Sequence, residues 1–219
     1  MPTGKAEPFT DNHGPGPGLL AAAAIAPIAF LGLLGYTAHS GGVNPAVLFQ
    51  DPITGGRLRP YTGIISNMGV VFWVTTAGIC LFASRVLWLI DRGERAQFLG
   101  SVGLLTAILG LDDLFVFHEL LAPGYLRVSE RVVVGVYCIL LAGIIVRFRR
   151  ELLSAADPLL GGALACLAGS LATDLLAPNL GWYHLVEDGL KFIGITLWST
   201  FHIRLAYRYV KATLPDGLG

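Results

Sequence analysis

The sequence has few charged residues and no excess of either sign. Charged side chains make up 14% of its 219 residues, against the roughly 25% typical of a soluble domain, and 15 basic residues balance 15 acidic ones. Without a basic excess, the chain lacks the electrostatic footprint of a nucleic-acid-binding protein. The scarcity of charge, combined with 54% hydrophobic residues, also excludes an intrinsically disordered chain.

Several signals of chemistry are also absent. The three cysteines, Cys80, Cys138 and Cys166, are too few for a disulfide scaffold, and each lies in an apolar stretch, as is typical of buried thiols. No Gly-rich phosphate loop follows a strand-like stretch, and no Gly-x-Ser-x-Gly motif occurs. Nucleotide chemistry and a serine-hydrolase triad therefore have no support in the sequence.

Long apolar stretches dominate what is present. A helix needs roughly 20 mostly apolar residues to cross a membrane, and six stretches qualify: 19–38, 63–90, 98–121, 131–146, 159–177 and 182–207. They predict an all-α polytopic integral membrane protein whose six transmembrane helices form three helical hairpins. We expect a disordered, Gly- and Pro-rich tail at 1–18, a single membrane domain at 19–210 and a short tail at 211–219.

Basic residues are distributed unequally between the two sides of this predicted bundle. Nine lie on one side: in the N-terminal segment, at the connections after the second and fourth spans, and around the C-terminal end of the sixth span. Four lie on the other side, at the connections after the first and third spans. Because basic residues accumulate on the cytoplasmic side, both termini are predicted to be cytoplasmic. The location predicted is the cell membrane, and specifically the inner membrane of a bacterium, with the tips of the three hairpins outside.

Ionisable residues occur within three of the six predicted spans, where they are costly and usually functional. With the orientation above, nine of them fall in the outer part of the membrane: Asp112, Asp113, His118, Glu119, Asp174, His184, Glu187, Asp188 and Lys191. His202 lies fifteen residues beyond Glu187, about 22 Å along the helix axis, and we expect it at the opposite surface.

Helical phase predicts which of these side chains face one another. On the last span, His184, Glu187, Asp188 and Lys191 fall within about 100° of arc, so they form one polar stripe. On the third span, Asp112 and Glu119 lie one above the other, whereas Asp113 and His118 point to opposite sides. The stripe is therefore expected to face an acidic pair. The alternative is that His118 and Glu119 belong to a hydrated helix end.

The charges in this group do not balance. Six carboxylates face one lysine, so either several acids hold protons or a divalent metal ion supplies positive charge. Mixed Asp, Glu and His ligands favour Zn, Mn or Fe over Ca or Mg, although no diagnostic ligand spacing such as His-Glu-x-x-His is present. The predicted catalytic residues are Asp112, Asp113, Glu187, Asp188 and Lys191, and the predicted metal ligands are His118, Glu119, Asp174 and His184.

The leading functional hypothesis is an integral membrane enzyme with a metal-assisted acid/base site near the outer face. It would be a hydrolase or an oxidoreductase acting on a lipid-like or other apolar substrate that enters from the bilayer, with membrane lipids as its partners. Two alternatives remain open: a proton- or cation-coupled transporter or channel, and an accessory subunit whose buried charges fix assembly. The loop at 39–62 is either a lid over the site or a plain surface loop.

Overall fold

The computed structural model describes residues 16–49, 62–90, 93–155, 157–176 and 183–213. Every element within these ranges is helical and none is a strand, which confirms the all-α class. The elements are α1 (Pro17–Ser40), a short 3-10 helix (Pro45–Leu48), α2 (Ile64–Ile90), α3 (Glu94–Phe115), a π-helical segment (Phe117–Leu126), α4 (Glu130–Arg147), α5 (Arg149–Ala155), α6 (Pro158–Leu176) and α7 (Tyr183–Lys211). Most of the predicted tails, and residues 50–61 of the predicted lid loop, lie outside the described residues.

Three of these helices are long and apolar enough to cross a membrane. They are Leu20–Ser40 within α1, all of α2 and all of α3, whereas the apolar part of α6, Pro158–Asp174, is shorter. Each of the six predicted spans nevertheless coincides with a helix. The number of six spans, their hairpin arrangement and the cytoplasmic termini remain predictions.

The core lies among α2, α3, α6 and α7. In the described ranges, α2 packs most extensively with α3 and α6 with α7, while α2 and α7 join the two pairs. Two glycines permit the close approaches: a Cβ added at Gly103 would lie 2.9 Å from Leu81, and one added at Gly194 would lie 2.8 Å from Leu167. Small residues at helix contacts are the usual means of close packing in membrane bundles.

Two helices lie at the periphery of this core. The α1 helix packs mainly against α7, and large apolar side chains along it stay exposed. Among the described residues of α4, Val133 alone is buried. Ile139, on the same helix, is 72% exposed. Apolar exposure on this scale is expected for surfaces that face lipid.

The structure corrects two expectations from the sequence and adds one helix. The third helix ends at Phe115 rather than near residue 121, because Val116 adopts a left-handed conformation and a π-helical segment follows. His202 is not an interfacial histidine: its side chain is 1% exposed and packs between Trp198 and Phe201. The connection between the fourth and fifth predicted spans contains a seven-residue helix, α5.

Candidate functional site

The break at the end of α3 brings together two residues that a regular helix would keep apart. Val116, which follows the last α-helical residue, has φ 52° and ψ 42°, a region that costs a β-branched residue energy. Residues six apart on a regular helix are separated by about 240° around the axis. The turn at Val116 instead directs His118 back onto Asp112, and the phase predicted for a continuous helix is therefore wrong.

Asp112 is a buried carboxylate with three hydrogen-bond donors. Its Oδ1 accepts the backbone N–H of His118 at 3.0 Å and the hydroxyl of Tyr137, on α4, at 2.9 Å. Its Oδ2 pairs with Nδ1 of His118. The side chain is only 5% exposed. These donors compensate for the loss of water around the carboxylate, as a buried charge requires.

His118 lies just beyond the end of α3 and is held by its Nδ1. Since that nitrogen donates to Asp112, the neutral ring carries its proton on Nδ1 and presents the lone pair of Nε2. Nε2 lies 3.6 Å from Oε1 of Glu119, whose side chain is 48% exposed. Burial lowers the pKa of His118, but the hydrogen bond and the charge of Asp112 together outweigh burial, and the pKa is raised above its ordinary value of 6.5.

Asp113 turns toward different neighbours, because adjacent residues on a helix point about 100° apart. Its Oδ1 lies 2.7 Å from Nζ of Lys191 on α7, and its Oδ2 accepts the indole N–H of Trp73 on α2 at 2.8 Å. The side chain is 10% exposed. Two consecutive acids thus connect α3 to four other elements: Asp112 to the π-helical segment and α4, and Asp113 to α2 and α7.

A small cavity lies beside the Asp113–Lys191 ion pair. Its volume is about 30 Å³, and its polar wall consists of Asp113, Asp188, Lys191 and Ser66, the last from the first turn of α2. Apolar side chains, among them Phe192, complete the lining. One or two water molecules would fill this space, whereas a lipid headgroup would not fit.

The remaining predicted site residues surround this centre from α6, α7 and the π-helical segment. Glu187 is 22% exposed, and its Oε2 lies 3.8 Å from Nδ1 of His184. Asp174 and Asp188 are close enough to Glu187 to act on it electrostatically, and so is Glu119. The structure therefore brings all nine predicted residues to one end of the bundle, although it distributes them over several pairs.

No preformed metal centre is found among the described residues, where no group of three or more His, Cys, Asp or Glu side chains is arranged to hold an ion. The two histidines predicted as ligands are in separate pairs, His118 with Asp112 and His184 with Glu187. A divalent ion at this end of the bundle consequently stays a prediction.

Reasoning from the sequence missed two residues of the site, Tyr137 and Trp73. Both are neutral aromatics within apolar stretches, and charge was the criterion of the search. One signal was available, because Trp and Tyr buried far from a helix end need a partner for the indole N–H or the hydroxyl group. Trp73 is 3% exposed and finds that partner in Asp113.

Comparison with known proteins identifies one family. The model of the family described as Domain of unknown function (DUF8692) matches residues 19–205, a range that contains every residue of the site above. No curated protein and no solved structure matches the chain.

Proposed function

The chain belongs to the DUF8692 family, and we propose that it is an integral membrane enzyme with an acid/base site at the outer end of its helix bundle. The proposed reaction class is hydrolysis of a lipid-like or other apolar substrate at the membrane–water interface. One observation carries the proposal: a buried carboxylate, Asp112, fixes the ring of His118 so that Nε2 is presented on the more exposed side.

The arrangement of Asp112 and His118 supports proton transfer. A histidine held at Nδ1 by a buried acid is oriented, has a defined tautomer and is stabilised when it becomes protonated. His118 would accept a proton at Nε2 from a water molecule as the water oxygen bonds to the carbonyl carbon or phosphorus of the substrate, and it would donate this proton to the leaving group as the bond to that group breaks. Glu119, 3.6 Å from Nε2, would pass to solvent the proton that the acid product releases.

The Asp113–Lys191 pair supports the proposal in a second way. Its cavity accommodates water but not a headgroup, so the bulky part of a substrate would stay outside, in the bilayer or at its surface. We propose that Lys191, Asp188 and Ser66 hold water in this cavity as a supply for the reaction. Glu187 and Asp174 add negative potential nearby.

The test is a hydrolysis assay of the purified chain in nanodiscs, using a panel of ester, amide and phosphoester lipids across pH. We expect turnover of at least one class and a rate that rises as His118 loses its proton. Asp112→Asn should lower the rate by about 10²-fold to 10⁴-fold, because the ring loses its fixed tautomer. His202→Phe, a matched change in the packed core, should leave the rate within about twofold.

The proposal is wrong if no class is hydrolysed, or if Asp112→Asn and the parent hydrolyse at the same rate. A metal-assisted form of the proposal makes an additional prediction. Activity would then be lost on treatment with a chelator and restored by Zn²⁺, Mn²⁺ or Fe²⁺, and elemental analysis would find stoichiometric metal in the parent.

A second candidate function is coupling to protons or cations in transport. The observation that favours it is the ion pair of Asp113 and Lys191 beside a water-sized cavity, since a proton or a small cation could replace one partner of such a pair. Proton uptake into proteoliposomes, followed with an internal pH dye, distinguishes the two proposals. Flux that Asp113→Asn abolishes, without any hydrolysis, would favour transport.

A further inference from the structure

A groove separates α3 from α4 at the end of the bundle opposite to the site. Its volume is about 670 Å³, within the range of ligand-binding clefts. Leu104 lines it on the α3 side, and Ile139 and Gly143 line it on the α4 side. The groove exists because α4 stands away from the core. Among the described residues of α4, only Val133 is buried.

The two ends of the groove differ in polarity. Toward the middle of the bundle its walls are apolar, whereas Gln97 and Arg147 lie at its other end. Arg147 is followed by Arg149 and Arg150, both exposed, so this end is basic. An apolar channel that leads to guanidinium groups matches a lipid with an anionic headgroup.

Arg147, which also contacts Gln97 and the ring of Phe148, is able to exchange the carboxylate of Glu94 for a phosphate. Its Nη1 lies 3.1 Å from Oε1 of Glu94, but the two side chains are 53% and 55% exposed. Exposed ion pairs of this kind contribute little to stability, so little is lost when a phosphate takes the place of the carboxylate. Arginine is also the side chain best suited to bind phosphate through two parallel hydrogen bonds.

We propose that the α3–α4 groove binds one anionic membrane phospholipid, with an acyl chain between Leu104 and Ile139 and the headgroup phosphate on Arg147. Basic pockets between transmembrane helices on the cytoplasmic side are known to recognise anionic headgroups. The predicted topology places the basic end of the groove on that side. This lipid site is independent of the proposed acid/base chemistry.

The experiment is native mass spectrometry of the full chain in detergent, with phosphatidylglycerol and phosphatidylcholine of identical acyl chains. We expect one tightly retained phosphatidylglycerol and weaker retention of phosphatidylcholine. Arg147→Gln should reduce the preference for phosphatidylglycerol by about fivefold, the effect of one basic residue near an anionic surface. Arg127→Gln, at the opposite end of α4, is the matched control and should retain the parent's preference.

A second pair of variants tests the apolar part of the groove. A Cβ at Gly143 or at Gly135 meets no atom within 4 Å, so a side chain can leave the backbone at either position without a clash at Cβ. Only Gly143 lines the groove, and Gly143→Leu should lower retention of phosphatidylglycerol by about tenfold while Gly135→Leu leaves it unchanged. Equal thermal unfolding of the two leucine variants would show that both are folded.

Three results would overturn the proposal. The first is equal retention of the two lipids by the parent. The second is unchanged phosphatidylglycerol binding in both Gly143→Leu and Arg147→Gln. The third is complete displacement of the lipid by inorganic phosphate, which would show that the basic cluster binds phosphate alone and that the apolar groove contributes nothing.

Discussion

The packed middle of the bundle and its acidic end, the end that carries Asp112, Asp113 and Glu187, are stabilised by opposite means. In the middle, Cys80 and Val102 are at most 1% exposed, and Gly103 and Gly194 allow neighbouring helices to touch. At the acidic end, charged side chains of several elements meet beside a cavity and stay partly exposed. A rigid, apolar scaffold that holds a hydrated, charged end is the arrangement that a functional site requires.

Polar contacts differ between the two regions in the same way. In the middle they are neutral: the indole N–H of Trp198 donates to the hydroxyl of Thr106. At the acidic end they involve carboxylates, which are stronger acceptors and costly to leave without donors. Changes in the middle should therefore affect folding, and changes at the acidic end should affect protonation as well.

The largest effect is expected from a substitution that forces the packed middle apart. Gly194→Val places a Cβ 2.8 Å from the side chain and 3.1 Å from the backbone nitrogen of Leu167, so α6 and α7 must separate. We expect a loss of about 3 kcal/mol or more in the free energy of unfolding, measured by thermal or denaturant unfolding in detergent. Gly161→Val, where a Cβ meets no atom within 4 Å, is the control. Similar stability of the two variants would contradict this account of the packing.

The second largest effect is expected at the acidic end, from Lys191→Met. Among the described residues, the change leaves the carboxylate of Asp113, 10% exposed, with the indole N–H of Trp73 as its remaining donor. We expect a loss of about 2 to 4 kcal/mol, less than for a fully buried pair because Lys191 is 33% exposed. Adding Asp113→Asn to this variant should restore much of the lost stability. Lys211→Met, at the exposed end of α7, should change stability little, and an equal loss there would argue against the ion pair.

A third prediction concerns pH and the Asp112–His118 pair. Since the pKa of His118 is raised, the pair stabilises the folded protein fully below about pH 6.5, the value in the unfolded chain, and this stabilisation is lost as pH rises through the folded value. The unfolding temperature should therefore fall between pH 6 and pH 9. In Asp112→Asn the fall should become smaller, because the contribution of His118 is lost, and stability at pH 6 should drop by about 1 to 3 kcal/mol.

Histidine resonances measured by NMR separate this effect from other titrations. The pKa of His118 should lie above 6.5 in the parent and drop in Asp112→Asn, because the variant removes the negative charge. If both proteins have the same histidine pKa values and the same slope of stability with pH, His118 does not depend on Asp112.

The smallest effect is expected at the break itself, where two contributions have opposite signs. Val116 occupies the left-handed region, which costs an L-residue roughly 1 to 2 kcal/mol, whereas the added freedom of glycine in the unfolded chain costs about 0.4 to 1 kcal/mol. Val116 is also 3% exposed, so glycine loses about 1.5 to 3 kcal/mol of burial, and Val116→Gly should destabilise the protein by only about 1 to 2 kcal/mol. Val133→Gly, the same change at a buried position of α4, relieves no strain and should destabilise the protein more. Destabilisation of similar size in both variants would remove the argument for strain at Val116.

The sequence predicted the helices well because apolar length alone encodes them. The predicted span at 63–90 and α2 differ by one residue, and the span at 131–146 and α4 differ by one residue at each end. The end of α3 was not predictable in this way. Hydropathy continues through Phe115 to Leu121, and neither hydropathy nor helical period signals a left-handed residue or π-helical turns.

The site was predictable in part, for the same physical reason. Intramembrane charge identified the acidic end. Helical phase predicted a polar stripe on the last helix that faces Asp112 and Glu119, whereas Lys191 of that stripe pairs with Asp113. Phase failed for His118 because it assumes an unbroken helix. Helical phase also gives no information about neutral hydrogen-bond donors, so Tyr137 was found only through its hydrogen bond to Asp112 in the structure.

The break after α3 makes the length of a short segment as important as its composition. Asp112 and His118 meet because five residues, turning once at Val116, separate them. A single deletion or insertion between them would rotate the imidazole away from the carboxylate, even if both side chains were kept. The spacing of aspartate and histidine should therefore matter as much as their identity, and a relative with both residues at another spacing should lack this pair.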